Sequence, residues 1–140
     1  MSSIIIGVDE AGRGPLFGSV YTSAVILPED NFDISLLKDS KKFTSKKKIK
    51  KVYEYIKTNN TIYSIDYSDH KVIDKYNILQ ATQKSMHRSI QNVIKQYIET
   101  CDAFDSSLFD NIMIYVDGNY FNDFAYFYID KFYKINHYLR

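Results

Sequence analysis

Apolar positions recur along this chain in two rhythms. Ile4 to Val8 is an unbroken apolar run that stops at Asp9 and Glu10, the pattern of a buried strand feeding a tight turn. Gly18 to Leu27, GSVYTSAVIL, is rich in β-branched residues and closes at Pro28, so it reads as a second strand paired with the first. Thr61 to Ser68, TIYSIDYS, alternates as a third strand would, and Ile112 to Val116, IMIYV, is a fourth whose end carries Asp117-Gly118-Asn119. Between the strands the spacing lengthens to the helical period. ISLLKDSKKF predicts a short helix and turn, and Ile49, Val52 and Ile56 mark a basic amphipathic helix that stops at Asn59-Asn60. DHKVIDKY leads into the longest helix, with Asn77 as N-cap and Gln80 as its capping-box partner. Leu79, Met86, Ile90, Val93, Ile94 and Tyr97 form one face of that helix, which ends near Glu99. CDAFDSSLFDN is a polar connection, and the aromatic-rich stretch from Tyr120 to Arg140 is predicted to be helical in part.

Two or three strands, then helices, then a strand ending in an acid predict an α/β fold, a mixed central sheet flanked by helices. With 140 residues the chain makes one domain, 1–140, with a single core. An apolar content of 45% against 25% charged residues excludes a disordered chain. The net charge of +1 offers no general field for a polyanion, so nucleic-acid affinity has to come from local basic patches and bound cations. Cys101 is the only cysteine, so no internal disulfide forms and a reducing, cytoplasmic setting is expected. No apolar run reaches the roughly 18 residues that span a bilayer, and Met1-Ser2-Ser3 does not open a signal peptide, so no membrane partner is expected.

The chemistry gathers at strand ends, where sheets of this class place ligands. Asp9, Glu10 and Asp117 stand at or just past the ends of predicted central strands. If those strands are neighbours, the acids converge, and two carboxylates about 5 Å apart repel by roughly 3 kcal/mol at an effective dielectric near 20. A divalent cation removes the conflict, and oxygen-only donors select Mg²⁺ or Mn²⁺. The competing reading is exposed acids in two unrelated turns. Gly12-Arg13-Gly14 can bring backbone N–H groups and a guanidinium close to a phosphate, or can simply form a turn. The lysines of LKDSKKF and TSKKKIKK suit phosphate neutralisation as well as they suit a solvated helix face. His70, His87 and His137 are far apart and read as surface or satisfied polar residues.

Taken together, these stretches resemble the type 2 ribonucleases H, the ribonuclease HII family. GVDEAGRGPLFGSV is similar to that family's opening signature, LKDSKKFTSKKK to its lysine-bearing second block, IDKYNILQATQKSM to its third and YVDGN to its fourth, in order across residues 4–119. The resemblance implies a ribonuclease H-like fold. It also implies an endonuclease cutting the RNA strand of RNA/DNA hybrids and ribonucleotides embedded in duplex DNA, leaving 5′-phosphate and 3′-hydroxyl ends. On the same ground Asp9, Glu10 and Asp117 are the expected catalytic, metal-binding carboxylates, holding two Mn²⁺ or Mg²⁺ ions. Gly12, Arg13 and Gly14 match the loop that reads the ribose 2′-hydroxyl, and Lys42 matches a phosphate contact. The expected protein is a monomer, and type 2 rather than type 3, because a strand beginning at Ile4 leaves no room for the extra N-terminal domain of the latter.

Past Asn119 the resemblance stops. The family continues with a fourth metal-binding Asp, an alanine- and serine-rich helix, a Tyr that stacks at the RNA–DNA junction and a C-terminal helical region, none of which the stretch from Tyr120 to Arg140 resembles. The chain is therefore expected to be C-terminally truncated relative to the family, with Asp130 as the candidate replacement for the fourth acid. The alternative reading is a catalytically impaired truncated copy that only binds nucleic acid or has no function.

Overall fold

Strand β1, Ile4–Ala11, is the spine of a mixed sheet. The computed structural model describes residues 3–11, 20–27 and 62–139, so the two helices expected between residues 28 and 61 lie outside the described residues. On one side β1 pairs antiparallel with β2 (Val20–Leu27), which pairs antiparallel with β3 (Tyr63–Ser68). On the other side it pairs in parallel with β4 (Ile112–Val116). A hairpin of β5 (Phe124–Tyr128) and β6 (Lys131–Leu139) completes the sheet, β6 running parallel to β4. The strand order is β3-β2-β1-β4-β6-β5.

Getting from β3 to a strand parallel with β1 requires a crossover, and helix α1, His70–Thr100, supplies it. Asp69 starts it: its carboxylate accepts the N–H groups of Lys71 and Val72, both at 3.1 Å. That cap turns the expected lead-in DHKVIDKY into helix, because two of the orphan donors of the first turn find a partner there. The helix breaks at Asn77 (φ 69°, ψ 166°) and restarts there, with Asn77 Oδ1 accepting the Gln80 N–H at 3.0 Å. Asn77 is thus a cap, as its sequence position predicts.

Alternation places Ile6 and Val8 of β1, Ala24 of β2 and Ile112, Ile114 and Val116 of β4 on the sheet face beneath α1, where they meet Met86, Ile90, Val93 and Ile94. Each such side chain fully buried is worth about 1.5–3 kcal/mol relative to exposure. Leu79 departs from the expected stripe, being 37% exposed in the first turn after the break, while Ala81 takes the buried position. Ser85 and Ser89 are small enough to let the helix approach β2 closely, and both meet the Thr22 hydroxyl, at 2.7 and 3.3 Å. Asp66 on β3 is held by Arg88 in a bidentate pair, with contacts at 2.9–3.2 Å.

The segment after Asn119 overturns the helical expectation: it is the β5–β6 hairpin. Its aromatics obey a period of two. Phe124, Tyr126, Tyr128 and Tyr133 turn toward the core, where Tyr133 stacks on Phe109 at 4.7 Å, while Phe127 and Phe132 meet each other on the exposed side. Phe109 itself comes from the predicted polar connection, most of which is a 3-10 helix, Ser106–Asn111, capped by Asp105. A γ-turn closes the hairpin at Ile129 (φ 61°), with Asp130 N–H donating to Tyr128 O at 2.7 Å.

Candidate active site

The parallel pairing of β1 with β4 decides where the acids meet. Its register sets Val8 opposite Val116, and the ladder continues one bond further, with the Asp117 N–H donating to Val8 O at 3.0 Å. Asp9 and Asp117 therefore follow one another across neighbouring strands about 4.8 Å apart. Val8 and Val116 both enter the core under α1; Asp9 is one step out of phase with Val8, and Asp117 is the first residue past Val116 at the end of β4. The Asp9 carboxylate is steadied locally, Oδ1 accepting the Glu10 N–H at 2.7 Å.

Glu10 falls in the other phase of the strand from Asp9. Its strand position carries it to the face that also holds Val8, at the rim where β1 runs out toward Ala11. Among the described residues, no group of three or more His, Cys, Asp or Glu side chains stands ready to hold a metal ion. The register thus sets the backbones of Asp9 and Asp117 level with one another at the ends of neighbouring strands. An all-oxygen pair there fits a hard divalent ion of the Mg²⁺ or Mn²⁺ kind, which keeps several waters and needs only one or two protein carboxylates.

Asp130 cannot complete the set. Strand β6 runs parallel to β4 with Leu139 level with Val116, so Asp130, just before its first residue, lies about 30 Å along the strand from that end at ~3.3 Å per residue. Of the remaining predicted site residues, Gly12, Arg13, Gly14 and Lys42 lie outside the described residues, as do the other lysines of the basic run. His87 is satisfied, bonding Asn122 O at 3.0 Å, and His137 lies 3.9 Å from the Asp123 carboxylate.

A further group escaped the sequence reading. Gln83, buried to 3% exposure, donates through Nε2 to Tyr120 O (3.2 Å) and accepts the Asn122 N–H through Oε1 (2.8 Å). Both partners belong to the backbone that leaves Asp117. The one sequence signal was a glutamine three residues before Met86 and seven before Ile90, on the apolar stripe of α1. Burial lowers the pKa of His87, the Asn122 hydrogen bond opposes that shift, and the charges of His137 and Lys84 add to it. No helix among the described residues is long and apolar enough to cross a membrane.

Comparison with known proteins fits this geometry. The family model described as Ribonuclease HII matches residues 6–115. A curated Ribonuclease HII of Treponema denticola is 42% identical over 117 residues, which cover 84% of this chain and 58% of that protein. One from Francisella tularensis subsp. mediasiatica is 47% identical over 94 residues, 67% of this chain and 49% of the relative. The chain thus spans about half the length of the curated relatives it matches. A solved structure of a mutant of Bst-RNase HIII superposes with a TM-score of 0.57 at 17% identity, covering 84% of this chain and 37% of that one, and shows that the fold is ribonuclease H-like. The match across residues 6–115 takes in the β1 end, α1 and most of β4, and on it the chain belongs to the ribonuclease HII family.

Proposed function

We propose that this chain is a divalent-metal-dependent endonuclease that hydrolyses the RNA strand of RNA/DNA hybrids and ribonucleotides embedded in duplex DNA, leaving 5′-phosphate and 3′-hydroxyl ends. What supports this reading is the Val8–Val116 register with the Asp117 N–H to Val8 O bond, which sets the backbones of Asp9 and Asp117 level on neighbouring strands. In this role the two carboxylates hold the cation against the scissile phosphate, and the Glu10 N–H keeps Asp9 Oδ1 oriented. Glu10 is the third donor of the proposal, contributing from the rim of β1. Mg²⁺ or Mn²⁺, singly or as a pair, supplies Lewis acidity at the phosphate and to the attacking water. Gly12, Arg13 and Gly14 are assigned to the ribose 2′-hydroxyl and Lys42 to a phosphate, on the family resemblance of their motifs. No side-chain nucleophile is required, and the protein acts as a monomer in the cytoplasm.

The test is a duplex carrying one embedded ribonucleotide, incubated with Mn²⁺ or Mg²⁺. Cleavage at the ribonucleotide that disappears in Asp9→Asn supports the proposal; no product together with no Mn²⁺-induced rise in melting temperature rejects it. A second reading, a nucleic-acid-binding module without turnover, is favoured by one feature: among the described residues no three His, Cys, Asp or Glu side chains gather where they could hold a metal, and Asp130 lies at the far end of β6. It predicts binding that weakens steeply with salt and no cleavage at any metal concentration.

A further inference from the structure

After Asp117 the chain leaves the sheet through Gly118 (φ +155°), a conformation that glycine alone adopts readily, and runs as irregular backbone to β5. Backbone packed under a helix must find partners for its peptide groups, and here a side chain does what a neighbouring strand would do. The Gln83 amide donates to one peptide carbonyl, Tyr120 O, and accepts from a peptide N–H two residues on, that of Asn122. One turn along α1, His87 takes the carbonyl two residues further on, Asn122 O, so its Nε2 carries the proton. One turn back, Gln80 Oε1 accepts Asn122 Nδ2 at 3.5 Å. The His87 ring packs on Phe121 and Phe124, with centroids 5.0 and 5.2 Å away.

Asp117 therefore sits between two fixed points. Upstream its own N–H is tied to Val8 O; downstream the chain is pinned at Tyr120, three residues away, by Gln83. We infer that Gln83 is a positioning residue for Asp117: by acting as a one-residue strand it fixes the exit path of β4 and keeps Asp117 level with Asp9. A carboxylate that shares a metal must be held within about 0.5 Å of its productive place, and the flexible Gly118 link cannot do this alone. Gln83 touches neither metal nor substrate, and its effect passes through the backbone. The inference rests on the proposed role of Asp117 as a metal ligand.

The experiment uses Gln83→Met, which removes both hydrogen bonds at similar volume, and Gln83→Glu, which keeps an acceptor for Asn122 and loses the donor to Tyr120. Val93→Ala, in the α1 core away from this bracket, serves as the control. Two quantities are read: the rise in melting temperature produced by Mn²⁺ alone, and kcat and KM on the single-ribonucleotide duplex. The expected result for Gln83→Met is a fall in Mn²⁺ affinity and kcat of about 10-fold or more, the scale seen when a group supporting a metal ligand is lost, with KM within about 2-fold. Gln83→Glu should fall in between, and Val93→Ala should lose melting temperature but keep its Mn²⁺ response and kcat. The inference is overturned if Gln83→Met, or Gln83→Glu should the former not fold, responds to Mn²⁺ as the parent does. If the parent itself neither binds Mn²⁺ nor cleaves, the proposed function fails and takes this inference with it; a responsive parent with indifferent Gln83 variants sinks the inference alone.

Discussion

The two faces of the sheet do opposite jobs with the same strands. Under α1, β1 and β4 present Ile6, Val8, Ile114 and Val116, all at 3% exposure or less. One residue out of phase, β1 presents Asp9 on the other face, where Tyr21 and Tyr67 also stand half exposed with ring centroids 5.8 Å apart, and β4 ends at Asp117. A strand period of two allows this division: the apolar set fixes register against the helix, and the register then sets the Asp9 and Asp117 backbones level at the strand ends. The covered face should therefore govern stability, and the acidic face chemistry.

The largest expected effect breaks that division from the acidic side. Asp117→Asn should lower hybrid cleavage on the order of 10³-fold, equivalent to about 4 kcal/mol of barrier, while changing the metal-free melting temperature far less than a core truncation does. Rate measurements alongside thermal melts check both halves. A large drop in melting temperature would mean that the acid is part of the scaffold.

The next effect comes from the covered face. Ile90→Ala, at a fully buried position on α1, should cost about 3 kcal/mol through lost burial and a residual cavity, read as the midpoint shift in urea. Mn²⁺ affinity of the fraction that remains folded should not change. If it does, the two faces are coupled more tightly than their alternation implies.

How much of this was legible beforehand differs between the faces. The strands β1, β2 and β4 were readable because an apolar run ending at acids or Pro leaves few other conformations open, and Asn77 was readable as a cap because a short polar side chain before an apolar stripe satisfies orphan N–H groups. The β5–β6 hairpin was not readable. A stretch such as FAYFYIDKFY lacks the polar contrast that would betray a period of two, and the turn at Ile129 has none of the Gly or Asn that usually marks a hairpin. Gln83 was hidden for another reason: its partners are backbone atoms 37 and 39 residues away, and backbone atoms carry no sequence signature.

That unmarked turn gives a smaller effect, opposite in sign. Ile129 holds φ 61°, where a β-branched side chain is strained by about 1–2 kcal/mol, and its 79% exposure shows that little packing offsets the strain. Ile129→Gly should therefore stabilise the chain by about 1 kcal/mol net of the extra chain entropy glycine brings to the unfolded state. Equilibrium urea unfolding reads the sign directly. Destabilisation would show that the exposed isoleucine is packed in solution.

The smallest effect assigns pH sensitivity to the covered face. His87 is neutral in its place on α1, its pKa lowered chiefly by burial, with His137 and Lys84 adding repulsion and the hydrogen bond to Asn122 partly compensating; across from it Asp123 stands by His137 rather than by His87. Because the folded pKa lies below the unfolded value of 6.5, the unfolded chain binds more protons as pH falls past that value. This contribution to stability is complete above pH 6.5 and is lost as pH drops toward the folded pKa. The melting temperature should fall across that interval, and His87→Gln, which keeps a donor for Asn122 O without a titrating ring, should flatten the slope. An unchanged slope in His87→Gln would show that the acid sensitivity does not come from His87.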